Sequence, residues 1–204
     1  MAATLPHKLF FVHAPRRSGA VCLTFDNGPH PEHTPQVLDV LKEAGVPATF
    51  FVVGRQAEEY PDLVRRMAAE GHDVGHHSYT HSEAHLTTTR QLLDEVRRTS
   101  DLLNRLLGEV PPLFRPPFGK LTVAKLLRLW CAHQTVVLWN VDPRDYACQS
   151  PEEVRGWFAS RPLCSGDVVL MHDNVPYAAE VLPDLIPRTR ARGLTFTKVS
   201  QWTT

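Results

Sequence analysis

Val21-Cys22-Leu23-Thr24-Phe25-Asp26-Asn27-Gly28 is the stretch that decides the fold. Val21 to Phe25 is rich in β-branched, aromatic and aliphatic side chains with no regular polar alternation. That is the pattern of a strand covered on both faces, as in a parallel sheet flanked by helices. The run ends on a carboxylate and an amide, and Gly28-Pro29 turns the chain away. Pro35 to Glu43 follows with Val37, Leu38, Val40 and Leu41 at helical spacing.

Outward from that stretch the alternation continues. Ala48 to Val53 is a second strand, stopped by Gly54. Asp62 to Glu70 is a helix capped by Gly71, His72 to Gly75 a short strand, and Thr87 to Leu107 a long amphipathic helix closed by Gly108. Pro116 and Pro117 restrict Leu113 to Pro116 to a brief strand, because proline cannot donate to a ladder. Ala124 to Leu129 is helical, Thr135 to Val141 a strong strand, and Pro151 to Ser160 a helix with proline in its first turn. Asp167 to Met171 is a strand, Ala178 to Arg192 a helix and Leu194 to Val199 the last strand. Strict alternation predicts an α/β fold with a parallel sheet. About seven strand-like segments favour closure into a distorted (β/α) barrel over an open sheet.

The chain of 204 residues fits one compact domain, with residues 1–19 as an N-terminal extension and 20–204 as the domain. Its 22 basic and 22 acidic side chains leave a formal net charge of zero. No field steers it to nucleic acid or an anionic membrane, so neither is expected as a partner. No run could span a bilayer, and the apolar patch Leu9 to Val12 is broken by His13 and Pro15, too short for a leader. A cytoplasmic location is therefore expected, and the sequence sets no oligomeric state. Cys22, Cys131, Cys148 and Cys164 show no CxxC spacing. Cys22 and Cys164 sit in or beside apolar runs and read as buried, reduced thiols.

In a (β/α) barrel, working residues gather where strands end and loops begin. Asp26 and Asn27 end the first strand, His77 and His81 follow the third, and Arg115 ends the fourth. Trp139, Asp142 and Asp145 end or follow the fifth, and His172 ends the sixth. The HxxxH spacing of His77 and His81 puts two imidazoles on one face if the segment turns helical, a pair suited to a divalent metal that takes one further ligand. His81 and His85 repeat that spacing and His76 adds a neighbour, so spacing alone leaves the register open. His30, His33, His72 and His133 read as surface or packing residues.

Thr24-Phe25-Asp26-Asn27-Gly28-Pro29, His77-Ser-Tyr-Thr-His81, Arg115-Pro-Pro-Phe-Gly119, Asp142-Pro-Arg-Asp145-Tyr146 and Leu170-Met-His172 resemble the five ordered motifs of the polysaccharide deacetylases. These are the NodB-homology proteins of carbohydrate esterase family 4, and the likeness spans roughly residues 20–199. It implies a distorted (β/α) barrel that removes N- or O-acetyl groups from amino sugars or polysaccharides with a divalent metal, zinc first, with cobalt, nickel and manganese as alternatives. Carried over residue by residue, the resemblance implies Asp26 as general base and His172 as general acid. Arg115 would orient the base and Asp145 tune the acid. The metal would sit on Asn27, His77 and His81. The Phe118 backbone N–H would serve the oxyanion, and Leu170, Trp139 and Tyr146 would line the substrate pocket.

Two positions depart from the family pattern. Asn27 stands where a second aspartate usually completes the metal triad, and Tyr146 where tryptophan is common. A neutral amide oxygen can ligate, yet it loses a charge-assisted contact, so weaker metal affinity is expected. Asn27 marks either a natural subgroup that still binds metal or an engineered knockout. Beside the deacetylase stand three other readings: a related amide or cyclic-amide hydrolase, a metal-poor carbohydrate-binding pseudoenzyme, and a small-molecule scaffold. Fold alone does not choose among them.

Overall fold

The protein is described as a computed structural model that covers residues 10–108, 110 and 112–203. Eight parallel strands form one curled sheet: β1 (Phe10–Phe11), β2 (Ala20–Asp26), β3 (Thr49–Val52), β4 (Asp73–His76), β5 (Leu113–Phe114), β6 (Thr135–Val137), β7 (Val168–His172) and β8 (Thr195–Phe196). Seven lie on one path, β1-β6-β5-β4-β3-β2-β7, and β8 pairs with β2 off that path. The expected α/β architecture of about seven parallel strands is the one found. Helices cover it: α1 (His33–Ala44), α2 (Gly54–Glu59), α3 (Pro61–Ala69), α4 (Thr89–Leu107), α5 (Val123–Cys131), α6 (Pro151–Ser160), α7 (Tyr177–Ala191) and α8 (Ser200–Thr203). None of the described helices is long and apolar enough to cross a membrane.

The period of two along each strand sorts the residues between two buried layers. Val21, Leu23 and Phe25 of β2 face outward and pack with Val37, Leu38 and Leu41 of α1 and with Val181 and Leu182 of α7. Cys22 faces inward beside Phe51, Leu113, Val137 and Val168, which fill the lower barrel. The inward set continues upward as Thr24 and Asp26 on β2 and as Leu170 and His172 on β7. The same alternation carries the loop residues His77 and Arg115 inward from the ends of β4 and β5. Small barrels have no pore, so their polar residues crowd together at one end.

Four local expectations need correcting. The fifth expected strand, Thr135 to Val141, is ordered as strand only to Val137, because β5 offers it two residues and the ladder runs out. The chain then swings across to the far side of the barrel, where Val141 bridges Val169 and closes the sheet. The last strand is limited to Thr195–Phe196, since β3 occupies the edge of β2 from Thr24 onward. Gly54 does not end structure but opens α2, whose first amides donate to the carbonyls of Ser78 and Tyr79, both at 2.9 Å. Cys164 is exposed, while Cys22 is buried as expected, and all four cysteines are free thiols.

The start of the chain contributes to the sheet as well. Phe10–Phe11 pairs with Val136 and Val137, and Phe11 and Ala14 join the inner core. The first part of the expected N-terminal extension, residues 1–9 with Leu9 of the apolar patch, lies outside the described residues.

Candidate active site

The site sits at the carboxyl ends of the strands and begins with Asp26, the last residue of β2. Its Oδ1 accepts a hydrogen bond from Arg115 Nη1 at 2.7 Å. Arg115 is fully buried, and all three of its guanidinium nitrogens donate. Nη1 also donates to Thr24 Oγ1 at 2.7 Å, Nε to the Val137 carbonyl at 3.3 Å and Nη2 to the Leu138 carbonyl at 3.1 Å. The guanidinium lies 4.1 Å over the Phe51 ring and 5.5 Å from Trp139. Burial pulls its pKa below the ordinary arginine range, and Asp26 opposes that shift. The break in β6 thus has a purpose: its freed carbonyls hold the arginine that holds Asp26. With Oδ1 committed, Oδ2 faces the cleft, 3.6 Å from His77 Nε2.

Across the cleft, His172 ends β7. Asp145, fully buried in a short 3₁₀ turn (Asp145–Ala147), grips it twice: Oδ1 takes the ring Nδ1 at 2.7 Å and Oδ2 the backbone N–H at 2.7 Å. Burial disfavours an imidazolium here, but the Asp145 bond and the charges of Asp145, Asp26 and Asp173 outweigh it, and the His172 pKa is raised. Tyr146 stands edge-on to the His172 ring at 5.1 Å and 74°.

Between the two arms lie the histidines and Asn27. The rings of His77 and His81 are 4.8 Å apart. His85 turns instead toward Glu83, and His76 faces outward to Gln134 Oε1 at 3.1 Å and Ser100 Oγ at 3.3 Å. The pair is not helical. It comes together in a loop after β4, where Ser78 and His81 take φ of 64° and 60°. Asn27, Phe118 and Arg144 also carry positive φ around the same cleft. Such conformations cost non-glycine residues about 1–3 kcal/mol each and are retained where the surroundings impose them.

These residues suit a divalent metal. His77 Nδ1 is 2.7 Å from the Arg115 carbonyl, so it carries the proton and leaves the Nε2 lone pair toward the cleft. Burial lowers the His77 pKa to about 4 despite the pull of Asp26, keeping the ring neutral. Burial also lowers that of His81. Asn27 Oδ1 is buried without a protein partner, an oxygen left for a ligand. Among the described residues, no three His, Cys, Asp or Glu side chains form a metal-holding group.

A cleft of about 350 Å³ joins the parts, lined by Asp26, Asn27, His77, His81, Phe118, Trp139, Leu170, Tyr146 and His172, together with Lys120 and Asp142. All the singled-out site residues therefore face it, apart from Arg115 and Asp145, which stand behind Asp26 and His172. Phe118 is 55% and Tyr146 54% exposed, two aromatic rings offered at the rim. Sequence reasoning passed over Thr24 and Asp173. Thr24 donates to the Val169 carbonyl at 2.6 Å while it receives Arg115, and only its inward parity beside Asp26 signals this. Asp173 is buried against Gly28, where even a β-carbon would meet its carboxylate. Thr34 Oγ1 donates to it at 2.6 Å.

Residues 13–130 match the family model described as polysaccharide deacetylase. A peptidoglycan-N-acetylglucosamine deacetylase of Bacillus cereus is 34% identical over 188 residues, covering 89% of this chain and 67% of that protein. A chitooligosaccharide deacetylase of Bradyrhizobium is 40% identical over 164 residues, covering 79% of this chain and 74% of its own. A crystal structure of a peptidoglycan N-acetylglucosamine deacetylase superposes with a TM-score of 0.90 at 31% identity, covering 95% of this chain and 92% of that one. Similarity of this extent in both sequence and fold places the chain in the polysaccharide deacetylase family, the NodB-homology proteins of carbohydrate esterase family 4.

Proposed function

We propose that this chain removes acetyl groups from N-acetylglucosamine units of a glycan, with Asp26 as general base, His172 as general acid and a divalent metal on Asn27, His77 and His81. The observation that carries the proposal is the pair of opposed clamps. Arg115 locks one oxygen of Asp26 and leaves the other in the cleft, and Asp145 locks the Nδ1 edge of His172 and leaves Nε2 for substrate. N-acetylglucosamine is the unit common to the two substrates for which the similar proteins are named. The exposed rings of Phe118 and Tyr146 suit the apolar faces of sugar rings.

The reaction is an amide hydrolysis. Water adds to the acetyl carbon, Asp26 Oδ2 takes its proton, the C–N bond breaks, and His172 Nε2 protonates the departing amine while acetate keeps the water oxygen. A bound metal, zinc first among the borderline ions, would supply Lewis-acid polarisation of the carbonyl and favour ionisation of the attacking water. The Phe118 N–H is assigned to the oxyanion, and Leu170 and Trp139 to the acetyl methyl.

Asn27 favours a second reading, a carbohydrate-binding protein with little metal. The two readings separate on bound metal and on acetate released from N-acetylated chitooligosaccharides and from peptidoglycan. The deacetylase reading expects release by the native chain and none by His172→Ala. It also expects Asn27→Asp to bind zinc about tenfold or more tightly, since a carboxylate adds charge to the ligand set. Turnover confined to Asn27→Asp would leave the native chain as the binding protein.

A further inference from the structure

His81 lies in a segment that has no regular structure of its own. Between the end of β4 at His76 and the start of α4 at Thr89 the chain runs without helix or strand, and Ser78 and His81 are both left-handed. Backbone amides and carbonyls in such a segment find no ladder partners, so outside groups must satisfy them. Two charged side chains from the covering helices do so at its two ends. Glu95 of α4 accepts the backbone N–H of Tyr79 at 3.2 Å and of Thr80 at 3.1 Å on Oε2, and the Thr80 hydroxyl at 2.7 Å on Oε1. Lys125 of α5 is buried, and its ammonium donates to the carbonyls of Ala84 at 2.8 Å, His85 at 3.1 Å and Thr87 at 2.5 Å.

The polarity is matched to the task. An anion takes the amides just before His81, and a cation takes the carbonyls just after it. Neither group is placed to touch substrate or metal: Glu95 holds residues 79 and 80, Lys125 holds residues 84 to 87, and neither lines the cleft. What lies between them is the second histidine, whose ring must stay 4.8 Å from that of His77 for the pair to act together. We propose that Glu95 and Lys125 are positioning residues for the histidine loop, and that together they set its affinity for a divalent metal.

This inference rests on the reading of His77 and His81 as metal ligands. It is tested on the full chain by calorimetric titration with zinc and by the visible absorption of bound cobalt, which reports coordination. Glu95→Ala and Lys125→Met are each expected to weaken metal binding by about tenfold to a hundredfold, the usual loss when a ligand's support is removed. Cobalt absorption should change shape, and Glu95→Gln, which retains one acceptor oxygen, should recover part of the loss. A fall in melting temperature with unchanged metal affinity and cobalt spectrum would reduce both residues to structural supports and overturn the proposal. Should Lys125→Met fail to fold, the half-buried Glu95 gives the result by itself. Should the native chain bind no metal while Asn27→Asp does, the ligand reading of the native chain fails, and the same substitutions in the Asn27→Asp background still decide the positioning role.

Discussion

Asp145 shows how much one buried carboxylate can fix. It spends one oxygen on the ring of His172 and the other on its backbone amide, so it sets both the charge and the orientation of that imidazole. Asp145→Asn keeps one acceptor and loses the other together with the charge. The raised pKa of His172 should fall, because burial then acts with less opposition. The protonated ring persists to higher pH in the native chain, so the variant should lose activity earlier as pH rises, and kcat at neutral pH should drop by about ten- to a hundredfold. A pH–rate profile checks this, and an unmoved alkaline limb would remove His172 as the acid. Asp173, the residue after His172, is governed chiefly by burial. Burial raises its pKa from 3.8 to about 6, so the folded state holds its proton more tightly than the unfolded chain does. Its ionisation therefore destabilises: stability should fall as pH rises from about 4 to about 6, by about 2–3 kcal/mol in full. Asp173→Asn can still accept the Thr34 hydroxyl, and in metal-free protein it should remove that slope and be the more stable form at pH 7 in urea unfolding.

The elements divide sharply into those the sequence makes legible and those it hides. β2 and β7 are continuous apolar runs with two-sided burial, and a pattern that strong leaves one reading. The long helix α4 carries its own start signal, Thr88 and Gln91 forming a reciprocal capping box. α2 carries no such signal, because its opening residue is a glycine read as a stop. The glycine is there for proximity: a β-carbon on Gly54 would come within 2.6 Å of Thr99 Oγ1 and of the Tyr79 ring. This closeness lets the first turn of α2 donate to the carbonyls of Ser78 and Tyr79, under the histidine loop. Gly54→Ala should cost about 1–3 kcal/mol, as overpacking does. A lower urea midpoint with unchanged slope is the expected signature, and a neutral result would mean that the loop yields more readily than its contacts imply. The loop conformation that brings the histidine pair together was hidden in a similar way. Spacing suggested a helical face, whereas the observed juxtaposition depends on two left-handed residues within the stretch and on partners in α4 and α5 that lie outside it.

On the scale of the whole molecule, the barrel is one curled sheet closed by a narrow seam, and the clamp on the candidate acid spans it, with Asp145 following one side and His172 ending β7 on the other. Parity along the strands made the inward set readable, since Asp26, Arg115 and His172 follow apolar runs at strand ends. The seam was not readable, because a strand read as continuous to Val141 is broken after Val137 and resumes as a single bridge to Val169. Asn140 stands in for the missing ladder. Its Oδ1 accepts the Val168 amide at 2.8 Å and its Nδ2 donates to Asp167 Oδ1 at 2.8 Å. Asn140→Leu should leave that amide and carboxylate short of partners and cost about 1–3 kcal/mol. Hydrogen exchange should quicken at Val168 and Leu170 ahead of β3 and β4, whose ladders do not depend on the seam. The functional consequence should be equally one-sided. His172 rides on β7 and Asp145 follows the bridge, so kcat should fall with the acid's alignment. Asn27, His77 and His81 hang from β2 and β4, so metal affinity should stay within about twofold, inside the usual additivity error for sites that share no partners. If metal affinity and kcat fell together, the barrel would be responding as one rigid unit, and the seam would not act on the Asp145–His172 clamp alone.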